Sequence, residues 1–251
     1  MIKIVYAKTP EQAGINAAKV IEEIVKNNPS AVLGLATGSS PIGMYRQLVS
    51  KCKSGELSFK DVKTVNLDEY VGLSPEHDQS YAYFMNDNLF NHIDIDKNNT
   101  NLPNGLASDL KAECERYDKV VDSMGGIDVQ VLGIGNNGHI GFNEPSDYFS
   151  FGTGLVDLTE STIDANSRFF ASRDLVPTQA LSMGVAQIMA AKKILLIALG
   201  KGKAEILEKA LFGEVTPRVP ASILRFFAGE VVVCADEEAL SVIKEKHPEA
   251  V

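Results

Sequence analysis

The chain has 251 residues, 45% of them hydrophobic, which is enough for a sizeable core and leads us to expect a single domain over residues 1–251. A formal net charge of −9 without clustered Lys or Arg argues against a nucleic-acid partner, because a phosphate backbone must be met by concentrated cations. The amino-terminal MIKIVYAKTPEQAG lacks a signal-peptide pattern and no apolar run is long enough to span a bilayer, so the expected location is the cytoplasm, with no membrane partner.

In chain order, the apolar runs IKIVYA, AVLGLA, VKTVNL, IDVQVL, KILLIALG and EVVVCA show little alternation, the mark of strands buried on both faces. Helical patterns lie between them. The first, TPEQAGINAAKVIEEIVKNN, opens with Thr9 as N-cap, Pro10 at the first helical position and Gln12 at the capping-box position. Further helices are expected at PIGMYRQLVSKC, SYAYFMNDNLF, SDLKAECERYDKVVDSM, PTQALSMGVAQIMAAK, KAEILEKALFG and DEEALSVIKEK. The alternation predicts an α/β fold: an open, mainly parallel sheet with helices on both faces, a Rossmann-like three-layer architecture. From Gly138 to about Asn166 no clear period is visible, and long irregular segments in compact domains are commonly lids or binding loops. Cys52, Cys114 and Cys234 are far apart and make no C-x-x-C pair, so they read as buried, reduced thiols with no metal to hold.

The run GIGNNGHIGFNEP follows the strand IDVQVL, and its first six residues satisfy G-x-G-x-x-G. That spacing suits a dinucleotide fold, but a helix must then begin at once. HIGFNEPSDYFSFGTG is too rich in Gly and Pro for that, so the glycines suit a tight loop at the carboxyl end of a strand, presenting Asn137, His139 and Glu144. His139 reads either as a hydrogen-bonded structural histidine or as a proton-exchanging group oriented by Glu144.

Four other segments carry candidate chemistry. In NLDEYVGL, Asp68 and Glu69 follow a strand directly, as a solvated turn or as a source of a general base. In GLATGSSPIGMY, Gly38, Ser39 and Ser40 precede a helix opened by Pro41. Such residues serve either as a plain turn with a Ser cap or as an anion pocket of N–H groups and hydroxyls. No Lys follows as in a P-loop. Arg168 in NSRFF and Lys201 and Lys203 in ALGKGKAE are ordinary surface charges taken singly. Together they supply the point charge and the fork that suit a phosphate monoester.

GLATGSSP, NLDEYVGL, GIGNNGHIGFNEP, NSRFF and ALGKGKA in this order strongly resemble the glucosamine-6-phosphate deaminase (glucosamine-6-phosphate isomerase) family across essentially the whole chain. The resemblance implies conversion of glucosamine 6-phosphate and water into fructose 6-phosphate and ammonia, without metal or cofactor. It implies catalytic roles for Asp68, Asn137, His139 and Glu144: His139 assists ring opening, Glu144 orients it, and Asp68 moves a proton from C2 to C1. It also implies a phosphate site of Gly38, Ser39, Ser40, Arg168 and Lys203. Some members carry aspartate where this chain has Asn137; an amide can hydrogen-bond the ring but lends it no Coulomb attraction. The related alternative is a 6-phosphogluconolactonase-type hydrolase. A non-catalytic sugar-phosphate sensor is a third reading, but such regulators usually add a DNA-binding module and no spare basic segment is present.

Part of the family is a hexamer activated by N-acetylglucosamine 6-phosphate, held between subunits by basic side chains soon after N-E-P. Here the stretch from Pro145 to Ser167 has no Lys or Arg, so a monomer or small homo-oligomer without that activation is expected.

Overall fold

A computed structural model describes residues 1–251. Its strands are β1 (Ile2–Ala7), β2 (Val32–Leu35), β3 (Lys63–Asn66), β4 (Asp68–Tyr70), β5 (Thr100–Asn101), β6 (Val129–Leu132), β7 (Gly154–Asp157), β8 (Gln179–Ser182), β9 (Lys193–Ala198) and β10 (Glu230–Asp236). The helices are α1 (Pro10–Asn27), α2 (Ile42–Lys53), α3 (Tyr81–Met85), α4 (Leu110–Ser123), α5 (Glu160–Asn166), α6 (Val185–Met189), α7 (Ala204–Phe212) and α8 (Ser241–Lys246). None is long and apolar enough to cross a membrane.

Seven strands form one parallel sheet in the order β1-β10-β9-β6-β2-β3-β5. Each of the six apolar runs supplies one of its strands, because strands covered on both faces are mostly apolar, although Thr64, Asn66 and Gln130 are buried polar exceptions. The core contains Leu33, Leu35, Val131, Leu132, Leu195, Leu196 and Val233, all buried. Helix α1 turns Ala13, Ala17, Ile21 and Val25 inward, and Thr9 caps it by accepting from the Gln12 N–H at 3.2 Å. The reciprocal half of the capping box is missing, since the Gln12 side chain donates to Asn16. The expected SYAYFMNDNLF helix is α3 running into a π-helical turn, Asn86–Phe90.

Several expectations are corrected. Residues 177–192 do not form one helix: β8 and the short α6 lie there. β8 is the middle strand of a second, antiparallel sheet, β4-β8-β7, and its ladders on both sides outweigh the helical spacing. Gly184 then separates the two elements as N-cap of α6, with its N–H held by Gln187 Oε1 at 3.1 Å. The carboxyl-terminal helix is shorter than expected, because Asp236 still belongs to β10 and the helix begins only at Ser241. Pro41 precedes α2 rather than opening it, and Ser40 makes no side-chain cap. Cys114 and Cys234 are buried, whereas Cys52 is half-buried and donates to Asp94; all three are free thiols. The segment after Gly138 also contains regular structure, β7 and α5, which packs on the second sheet through Tyr70, Phe142, Leu158, Ile163, Val176 and Ala180.

Candidate active site

In a parallel sheet all carboxyl ends lie on one edge, and four consecutive strands, β9, β6, β2 and β3, are followed by four of the five candidate segments, the fifth, with Arg168, coming after α5. The loop after β2 carries Gly38, Ser39 and Ser40; that after β6 carries Asn137, His139 and Glu144; that after β9 leads to Lys203; and β3 leads to Asp68. The first two loops touch, since Ser40 Oγ stands 3.8 Å from where a methyl on Gly133 would project.

The β6 loop folds back on itself. The Gly135 N–H donates to the His139 carbonyl at 2.9 Å, and Gly138 takes a left-handed φ of 91°, which a side chain would strain. His139 Nδ1 then lies 3.5 Å from Glu144 Oε2, an electrostatic contact too long for a good hydrogen bond, and Nδ1 is buried with no hydrogen-bond partner. Asn137 does not bond the ring, although an amide there could. Its Nδ2 donates to Glu144 Oε2 at 2.6 Å and its Oδ1 accepts from the His139 backbone N–H at 3.2 Å. The amide thus ties the backbone of one catalytic candidate to the carboxylate of the other. Glu144 Oε1 accepts from the Thr162 hydroxyl. Burial opposes ionisation of Glu144, but His139, Thr162 and Asn137 outweigh it and hold the carboxyl at about 2.

The two acids of NLDEYVGL separate into different tasks. Glu69 is buried and accepts from the backbone N–H groups of Tyr70, Tyr81 and Ala82 at 2.8, 2.8 and 2.9 Å, anchoring the start of α3. Its burial raises its pKa and these bonds oppose the rise. Asp68 is no solvated turn residue: it is 6% exposed and opens β4 opposite Ser182. Burial, and then the charge of Glu69, push its carboxyl up to about 8, with no cation to offset them. Gly141 lies against it, where a methyl would stand 3.6 Å from Asp68 Oδ2 and 3.1 Å from Ser182 Oγ. Asp68 therefore borders the loop that presents His139, beside an aromatic wall in which Tyr81 stacks on Phe142 at 5.8 Å.

Lys203 and Arg168 come together from distant segments. Burial and then the Arg168 charge lower the Lys203 pKa. Lys203 Nζ donates to Asn136 Oδ1 at 2.6 Å, and the Arg168 guanidinium lies over the Phe169 ring at 4.6 Å. Lys201 points to solvent. Gly38, with φ of 84°, turns the β2 loop, leaving Ser39 exposed and Ser40 half-buried. No group of three or more His, Cys, Asp or Glu is arranged to hold a metal ion.

The family model for glucosamine-6-phosphate isomerases/6-phosphogluconolactonase matches residues 7–233. The chain belongs to this family. Within the glucosamine-6-phosphate isomerase/6-phosphogluconolactonase family it is 53% identical over 243 residues to a glucosamine-6-phosphate deaminase of Clostridium perfringens (strain 13 / Type A), covering 97% of this chain and 100% of that one. A glucosamine-6-phosphate deaminase of Lachnoclostridium phytofermentans is 52% identical, covering 94% of this chain and all of its own. The solved structure of a monomeric glucosamine-6-phosphate deaminase, described as a missing link of the NagB superfamily, superimposes with a TM-score of 0.93 at 47% identity, over 96% of this chain and 99% of that one. The 6-phosphogluconolactonase of Trypanosoma brucei shares the fold at 17% identity, with a TM-score of 0.76 over 98% of this chain and 99% of its own.

Two site neighbours went unread in the sequence. Asn136 is adjacent to a chosen residue, and its place in the Gly-rich loop was the available signal. Thr162 lies 18 residues from Glu144 and only the path of α5 brings it there, so no local pattern announced it.

Proposed function

We propose that the chain converts glucosamine 6-phosphate and water into fructose 6-phosphate and ammonia. It acts as a cytoplasmic hydrolase of a C–N bond in amino-sugar breakdown, as a monomer or small homo-oligomer. The observation that carries this reading is Asp68, a buried carboxylate held at about 8 and set against the His139 loop across Gly141. A base with a pKa near neutrality matches the removal of a weakly acidic C–H proton. In this scheme His139 moves a proton between the ring oxygen and the anomeric hydroxyl, and Glu144 and Asn137 hold it in place. Asp68 takes the C2 proton as the open-chain aldehyde oxygen gains one, giving an enolamine, and return of the proton to C1 then converts the enolamine into an imine at C2. Addition of water to the imine carbon and departure of ammonia leave the ketose. Every step is a proton transfer or the addition or loss of a small molecule, so the residues present suffice without a cofactor. Gly38, Ser39, Ser40, Arg168 and Lys203 hold the phosphate, and the converging charges of Arg168 and Lys203 support that assignment.

Ammonia release from glucosamine 6-phosphate is the test. Folded protein that releases none, while hydrolysing a 6-phosphogluconolactone, would assign the site to lactone hydrolysis instead.

A further inference from the structure

The segment that brings Arg168 to the phosphate side also reaches Glu144. Helix α5 inserts Thr162, 4% exposed, against the carboxylate, and the turn bearing Arg168 follows the helix directly. The carboxylate is divided between partners: Oε2 takes the Asn137 amide at 2.6 Å and faces His139 Nδ1 at 3.5 Å, while Oε1 takes the Thr162 hydroxyl. Thr162 Oγ1 also accepts from the Thr159 hydroxyl at 3.2 Å, consistent with its own proton going to Glu144. A carboxylate gripped at one oxygen alone can still rotate about its terminal torsion. Gripped at both, it keeps Oε2 turned to the imidazole.

We infer that Thr162 is a positioning residue for the His139–Glu144 pair, fixing the rotation of the Glu144 carboxylate from the segment that anchors the phosphate through Arg168. The inference rests on the proposed deamination. Its chemistry is that of an outer partner orienting an acid–base group, whose loss typically costs 10–100-fold at metal sites of comparable design.

The experiment compares Thr162→Val, which keeps the shape and removes the donor, with Thr162→Ser, which keeps the donor, using the full chain. Thr162→Val is expected to lower kcat for ammonia release about tenfold with KM changed less than about twofold, and Thr162→Ser to stay within about threefold of wild type. In a Glu144→Gln background Thr162→Val should have no further effect, because the group through which it acts is gone. The His139 ring nitrogen signals in NMR should move in Thr162→Val and remain in place in Thr162→Ser. Thr162→Ala replaces Thr162→Val should the valine variant fail to fold. A kcat within about twofold of wild type, an equal loss in the Glu144→Gln background, or a serine variant as slow as the valine one would overturn the inference. If wild-type protein releases no ammonia, the proposed function fails, and the ring signal still decides: an unmoved His139 in Thr162→Val rejects the clamp.

Discussion

The imidazole of His139 lies directly over Gly135, so that a methyl group there would stand 2.3 Å from Cε1 and 2.4 Å from Nδ1. The glycine at this point of G-x-G-x-x-G makes room for a side chain of its own loop, where a dinucleotide fold would make room for a pyrophosphate. Gly135 has no positive φ, so alanine is conformationally acceptable and its effect falls on the ring. Gly135→Ala is expected to displace His139 and lower kcat by about 100-fold or more, close to 3 kcal/mol of activation free energy, while the protein stays folded. Turnover and circular dichroism on the same sample check it; a variant with near wild-type kcat would mean that the ring position is immaterial.

Asp68→Asn is expected to abolish deamination while leaving substrate binding largely intact, since the amide keeps the shape and cannot accept the C2 proton. Exchange of the C2 hydrogen with deuterated water reads the step directly. Exchange at the wild-type rate in the variant would remove Asp68 from the base role.

The same carboxylate governs a pH dependence. Its pKa rises from 3.8 to about 8 on folding, so across that window the folded chain holds a proton that the unfolded chain has released. Stability contributed by Asp68 therefore falls as pH rises from about 4 to about 8. Asp68→Asn removes the penalty and should be more stable than wild type at pH 8 by at least about 1 kcal/mol, with the difference shrinking toward pH 4. Urea unfolding at the two pH values measures it, and an asparagine variant less stable than wild type at pH 8 contradicts the assignment.

Lys203→Ala should weaken glucosamine 6-phosphate binding by about 1–3 kcal/mol and any binding of unphosphorylated glucosamine much less, as a charge-assisted contact to the phosphate requires. Calorimetric titration with the two sugars separates the cases. Equal losses would place the action of Lys203 elsewhere.

The rate is expected to depend hyperbolically on substrate and to ignore N-acetylglucosamine 6-phosphate. Beyond the N-E-P residues lies a cavity of about 370 Å³ lined by Glu144, Pro145, Tyr148, Leu155 and Asp157 among others, with no Lys or Arg in its wall. Nearby, Arg218 is engaged in an ion pair with Asp147. Carboxylates without a free cation repel a phosphate. A sigmoidal curve made hyperbolic by the acetylated sugar phosphate would refute this, and sedimentation tests the expected small assembly on its own.

All seven strands of the parallel sheet except the two-residue edge strand β5 were legible as mostly apolar runs, because the inner strands are buried on both faces. The order of the motifs along the chain likewise determined the family and the candidate residues. The second sheet was illegible: β4 is three residues of D-E-Y, and β8 lies in a stretch with helical spacing, so their pairing partners, not their own composition, make them strands. Roles within the site were also beyond local reading. Asp68 and Glu69 are neighbours of the same charge, yet Glu69 meets three backbone N–H groups while Asp68 is buried without such donors. The Asn137 amide was read only as a group able to bond the ring, and the fold gave it Glu144 and the His139 backbone instead. What the sequence determined by itself was which groups stand at the sheet edge, since strand ends follow from patterns a few residues long. Which of those groups face one another, at what distance and in what dielectric, was decided by segments remote in the chain, and pKa and hydrogen bonding depend on that surrounding.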